Sequence, residues 1–303
     1  MTTPTKLRLL AGFGSSLADA LLLACHPDEW DAGQERTLVL TLSQGRPRFV
    51  ASLPFRSSTA WASPHGAIYL LSWRPGVTNG SVYVHTGDWQ QLAQELDATG
   101  DRLLQHRIWG LPGATPEDEL VFVGGADTTL YVRRGGRWEP FAGPPGCEEL
   151  NGFHGRAPDE VYLCSPERGL MRWNGQAIEL VESPLWAPEG VVVLSDDALV
   201  VTHEQSLWRW HREHGWSEQP TDHEPALQPV VLGEEIFSAT YGNEGVVRLS
   251  PDPEVVAPLG ELRSLLDVGD GVIAAGEQGS AFYDGQAWHD IEMPACLPGT
   301  NPP

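Results

Sequence analysis

Basic residues are scarce in this chain. Its 303 residues include 19 Lys and Arg against 41 Asp and Glu, a formal net charge of −22. Nucleic acid and anionic membranes need a cationic footprint, so neither is an expected partner. Such a charge serves solubility first, and after that it suits a basic protein. Cysteine is also sparse. Cys25, Cys147, Cys164 and Cys296 lie far apart and form no Cys-x-x-Cys. Disulfides would need an oxidising compartment, and Cys25 and Cys164, at strand ends, read as buried thiols. Long apolar runs are missing too. Ala18–Cys25, ADALLLAC, is too short to span a bilayer, and Gly and Ser break the short apolar run after Lys6 and Arg8. No export signal is read here, and a cytoplasmic location is expected.

The usual catalytic signatures are absent as well. There is no Gly-x-Ser-x-Gly, and Gly12-Phe-Gly14 followed by two serines lacks the strand–elbow–helix setting of a hydrolase. Gly124-Gly125 and Gly135-Gly136 read as turn glycines, because no helix follows to make a phosphate cradle. Cys25 and His26 are neighbours on a strand, so they point to opposite faces. His211 and His214 flank Glu213, but two histidines without a third ligand are a weak metal signal and read as a polar hairpin tip. Carboxylate pairs recur as Asp118-Glu119, Asp159-Glu160, Asp196-Asp197 and Glu234-Glu235. A feature repeated at one place in every unit is a solvated turn, and nothing selects two of these acids for glycoside chemistry. No catalytic residue, cofactor or metal is expected.

Turn formers and tryptophan are abundant, with 33 Gly, 25 Pro and 12 Trp. Asp270–Trp288, DGVIAAGEQGSAFYDGQAW, reads as turn, strand, tight turn, strand, Asp-Gly turn and a strand opened by Trp. Variants occupy Pro116–Trp138, Pro158–Ile178, Asp196–Trp216 and, degenerately, Gly233–Val255. Trp89 to Trp138 is 49 residues. Trp138 to Trp216 is 78, or two steps of 39, and Trp216 to Trp288 is 72, or two of 36. Ile178 and Val255 fall at the intermediate sites. A period near 40 with four short strands per unit predicts an all-β fold, a single closed β-propeller of seven four-stranded blades. The blades are expected at residues 7–54, 55–105, 106–145, 146–184, 185–223, 224–260 and 261–294. Residues 1–6 read as a flexible tail and 295–303 as a Pro-rich tail, disordered or draped on the surface. Gln90–His106 has apolar residues near helical spacing and could add a helical turn.

The run Ile108-Trp-Gly, then Pro116-Glu-Asp-Glu-Leu-Val-Phe-Val-Gly, then Leu130-Tyr-Val and Gly136-Arg-Trp resembles a broad bacterial family of kelch- and sialidase-like propeller repeats. The likeness covers about Ile108–Trp288. It implies the fold and no activity, since such folds host enzymes and scaffolds alike. The Asp-box of sialidases has no full match.

The residues that break the repeat carry the functional expectation. Units one and two hold insertions between their second and third strands, containing Asp28, Glu29, Trp30, Asp31, Glu35, Trp73 and Arg74. Insertions on one face of a repeat array often make its binding surface. The short turns of later units add Glu167, Glu204, Glu244 and Glu277 to that face. Exposed Trp rimmed by carboxylates fits a cationic partner. The expected function is a non-enzymatic, monomeric, acidic propeller that binds a basic protein, in concrete form a cytoplasmic inhibitor or immunity protein neutralising a basic toxin. A carbohydrate-binding or glycan-cleaving propeller and a docking subunit of a larger complex are the alternatives.

Overall fold

The computed structural model describes residues 3–34, 36–73, 80–97, 107–124, 129–147, 149–225, 228–240 and 244–302. Seven antiparallel sheets of four strands form a ring, each sheet built from four consecutive strands. The blades run Arg8–Leu53, Arg56–Asp97, Arg107–Ala142, Asn151–Leu180, Gly190–Pro220, Val230–Ala257 and Leu262–Asp290. The first strands of neighbouring blades touch and surround the axis. The expected seven-bladed propeller is the observed fold.

Alternation along the second strands explains the stacking. In blade 3, Val121 and Val123 join a cluster with Tyr69 and Leu71 of blade 2. Leu120 and Phe122 join Val161 and Leu163 of blade 4. Successive side chains point to opposite faces of a sheet, so a continuous apolar run supplies both neighbours at once. Each fully buried aliphatic or aromatic side chain contributes roughly 1.5–3 kcal/mol. Close approach at the axis needs small residues. A Cβ on Gly110 would meet the Trp61 ring of the preceding blade at 2.4 Å.

The tryptophan period has a packing cause. Trp138, Trp216 and Trp288 sit on the outermost strands of blades 3, 5 and 7 and pack on the preceding blade's cluster. The Trp138 indole N–H donates to Glu95 on blade 2 at 3.3 Å, and that of Trp216 to the Glu182 carbonyl at 3.4 Å. Trp89 falls in the turn before Ala93–Asp97 rather than on a strand. That strand occupies part of the segment with helical spacing; residues 98–106 lie outside the described residues.

Asp-Gly and Asn-Gly turns close the outer hairpins. The Asp284 side chain accepts the N–H groups of Gln286 and Ala287, both at 2.9 Å, and Asn174 does the same for Gln176 and Ala177. The glycine that follows has φ of 87° at Gly285 and 88° at Gly175, the left-handed conformation glycine adopts at low cost. All four cysteines are free and buried, and burial pushes the Cys25 thiol up to about 12.

The termini depart from the expected tails. Thr5–Lys6 pairs with Ala295–Cys296 in a two-stranded ribbon, so the first six residues are not all loose. No strand is exchanged between the first and last blades; the ribbon and its side chains form the clasp. Residues Pro27–Asp31 of the first insertion form a short helix. Its Glu29 is only 3% exposed and accepts from Arg36, at 3.4 Å, and from the Gly299 N–H. Arg36 also donates to the Thr300 carbonyl at 2.7 Å and to Asn301 at 2.6 Å, and His26 Nε2 lies 3.2 Å from the Cys296 carbonyl. The C-terminal segment is therefore bound to blade 1 by charge-assisted hydrogen bonds.

A second inter-blade tie is His154 of blade 4, whose Nδ1 accepts the Val193 N–H of blade 5 at 3.1 Å. Burial, and then the charge of Arg156, lowers its pKa to about 4 from 6.5.

Two predictions follow from these ties. Glu29→Ala removes the carboxylate partner of Arg36, leaves the Gly299 N–H unmatched, and is expected to cost roughly 2–3 kcal/mol in urea unfolding. Removing residues 295–303 should cost at least as much; an unchanged midpoint in both would remove the clasp from the stability of the ring. Between pH 6.5 and 4 the unfolded chain takes up a proton at residue 154 and the folded chain does not. Stability is expected to fall across that window by up to about 3 kcal/mol. His154→Asn keeps an acceptor for Val193, and its unfolding midpoint should depend less on pH there than that of the parent.

Candidate partner-binding face

The turns between second and third strands and the connections between blades share one face of the ring. A strand that starts from an inter-blade connection ends at the opposite face, and the next strand returns. The expected acidic residues lie on this face, but they do not form one patch. Asp28 and Asp31 are exposed on the short helix, and Asp31 is paired with Arg8 at 3.2 Å. Glu29 turns inward to the clasp, so it is not an exposed acid. Trp30 is half-buried, with the Arg56 guanidinium 4.4 Å above its ring. Arg56 also donates to the Trp30 carbonyl. The first insertion is thus committed in large part to the ring's own closure. Glu35, Arg74 and the Trp73 side chain lie outside the described residues.

Of the later turns, Glu244 pairs with His223 Nδ1 at 2.7 Å, and Glu277 with Arg263 at 3.0 Å. Both acids thus have a local partner, and for Glu277 it is a cation. Glu167 and Glu204 differ. Glu167 accepts from the Ser165 hydroxyl at 2.9 Å and from the Glu149 N–H at 3.3 Å. Burial, and then the neighbouring Glu167 charge, raises the Glu149 pKa, against a smaller lowering by Arg107. Glu204 is exposed at the tip of its turn with φ of 48°.

Between Glu167 and Glu204 stands Trp186, on the connection from blade 4 to blade 5. It is 67% exposed, the most exposed of the large hydrophobic side chains described. Its ring lies edge-on to that of His203, with centroids 5.6 Å apart. His203 is buried, and its Nε2 has no hydrogen-bond partner. The connection is held against the turn of blade 4. Gly169 has φ of 80°, and a Cβ there would meet the Leu185 carbonyl oxygen at 2.7 Å. Glu149, Glu167, Trp186 and Glu204 therefore follow one another across blades 3 to 5.

Sequence reasoning passed over Trp186 and Glu149. The available signal was positional: Trp186 lies off the tryptophan period, in Pro184-Leu-Trp-Ala-Pro188. A Trp with no blade interface to fill and a proline on either side reads as a presented side chain. The turn of His211, Glu213 and His214 does bring three ligand-type atoms within 4.8 Å of one another, on the opposite face. His211 Nδ1 already accepts the Glu213 N–H at 3.2 Å.

No protein-family model matches the chain, and no curated protein matches it. Solved structures do resemble it in fold. The WD40 propeller domain of Doa1 aligns with a TM-score of 0.63 at 10% identity, covering 93% of this chain and 97% of that one. Saccharomyces cerevisiae Sqt1 gives 0.61 at 11% identity, covering 93% and 98%. The propeller domain of the Trilobed protease from Pyrococcus furiosus, described as having an open velcro topology, gives 0.62 at 10% identity, covering 95% and 98%. At such identities the likeness shows the propeller fold alone; it does not establish kinship with kelch- or sialidase-like repeats. Among the described residues no helix is long and apolar enough to cross a membrane.

Gly169→Ala is expected to cost about 1–3 kcal/mol, because an alanine at positive φ is strained and its methyl meets the Leu185 carbonyl. Thermal unfolding measures the cost. Trp186 fluorescence, isolated by difference against Trp186→Phe, should shift as the connection is pushed off the turn.

Proposed function

We propose that this protein is a non-enzymatic binding scaffold whose partner is a basic protein, docked on the face that carries Trp186. The observation behind this reading is a Trp 67% exposed on the face that carries Glu167 and Glu204, on a chain of net charge −22. Trp and Arg are enriched among the residues that dominate binding energy, and a guanidinium can lie over an indole while a neighbouring carboxylate takes its N–H groups. Glu149 and Glu167 repel each other, and a partner cation relieves that repulsion. Asp28 adds an exposed carboxylate on the same face at blade 1.

In its concrete form the scaffold is an intracellular inhibitor. It covers the basic surface of a toxin or enzyme that handles nucleic acid, and its acidity substitutes for phosphate. The fold is used widely for protein docking, which supports the scaffold and leaves the partner to experiment. A glycan reading is less favoured, because Trp138, Trp216 and Trp288 are taken up by packing between blades.

The test is capture of partners from native lysate at low salt, identification by mass spectrometry, and titration of the retained protein at two ionic strengths. A basic partner is expected, with affinity that falls steeply as salt rises. Trp186→Ala should weaken binding by about thirtyfold or more, the scale of a hot spot. Salt-indifferent affinity, or full binding by Trp186→Ala, would overturn the reading.

A further inference from the structure

The axis of the ring encloses a cavity of about 300 Å³, lined by residues from all seven blades. That lies at the lower end of the range for small-molecule sites, roughly 300–1,000 Å³. Its walls mix polar and apolar surface: Trp61 from blade 2 and Trp109 from blade 3 line it, while Phe13 and Phe153, also at its wall, are buried in the clusters between blades. Trp61 and Trp109 are half-buried. Both stand on innermost strands flanked by neighbouring blades, so their open surface faces the axis.

The polar inventory is short and of one sign. Among the described residues that line the cavity, Asp267 is the only charged one, and no Lys or Arg is among them. His154 is held uncharged at neutral pH, with Nδ1 taken by the Val193 N–H. Gln228 spends its amide on Val191, accepting the N–H at 3.3 Å and donating to the carbonyl. Asp267 accepts the Gly269 N–H at 2.6 Å at the mouth of the channel. The Asp267 side chain is exposed there; partial desolvation raises its carboxyl pKa, the Gly269 hydrogen bond opposes the rise and the Asp270 charge adds to it. The cavity thus offers π-systems and a carboxylate with no cation of its own to neutralise them.

Anions gain little here, since the single charge among the described lining residues repels them. A neutral apolar guest would leave the carboxylate unmatched. A compact cation satisfies both kinds of wall, through attraction to the aromatic quadrupoles and through direct pairing with the carboxylate. We propose that the central channel is a binding site for a small organic ammonium ion, held by Trp61, Trp109 and the Asp267 carboxylate. The site opens at the ends of the innermost strands, the face opposite Trp186, and is independent of protein docking there.

The experiment is titration of the intact protein with choline and with dimethylbutanol, its uncharged carbon isostere, read by tryptophan fluorescence and calorimetry. One choline per chain is expected, bound about tenfold more tightly than the isostere. Asp267→Asn keeps an acceptor for the Gly269 N–H and should lose most of that preference, while Trp186→Phe should leave it unchanged. No saturable response, equal affinity for the two probes, or an Asp267→Asn protein with the full preference would overturn the proposal. The comparison of the two probes needs no variant, so it stands whether or not a substitution affects folding.

Discussion

Each blade of this protein has two apolar faces, and neither can be left to water. That constraint organises the whole chain. Val121 and Val123 look one way and Leu120 and Phe122 the other, so a blade is complete only between two neighbours. A row of such units ends in exposed apolar surface at both ends, and a ring has no ends. The outermost strands escape the constraint because they meet solvent. Ile178–Leu180 and Trp288–Asp290 are short and mostly exposed accordingly.

Closing the ring is the step at which repetition stops helping. Blades 1 and 7 are each made from contiguous chain, so no blade is built from strands of both chain ends. The seam is held instead by packing of Leu22, Leu38 and Leu40 against Ile273 and Ala275, with the terminal ribbon laid across it. Glu29 and Arg36 sit where the C-terminal segment crosses blade 1. A buried carboxylate with an arginine and a backbone N–H is costly to desolvate but specific in geometry. That balance explains why an insertion rich in acids turned out to be internal fastening as much as surface.

What remains for function are the side chains that the blade interfaces leave partly or wholly open. On one face Trp186 stands exposed on the connection between blades 4 and 5. Along the axis Trp61, Trp109 and Asp267 surround space that the inner strands cannot fill. The two places face opposite ways, so the two proposed sites would not compete.

The sequence by itself determined the repeat, its period and the number of blades. Those follow from local physics: strand alternation, Asp-Gly and Asn-Gly turns, and Trp at the opening of outer strands, each readable within some twenty residues. It also determined the acidity and the absence of familiar catalytic motifs. Tertiary structure alone decided exposure. Glu29 and Asp28 are adjacent acids in one helix, yet one is buried against Gly299, 270 positions away, and the other is in water. Trp138 and Trp186 are the same residue type, yet one fills an interface and the other has none to fill. Burial depends on what the ring brings alongside a residue, and for the clasp, the channel and the Trp186 connection those neighbours come from other blades or from the far end of the chain.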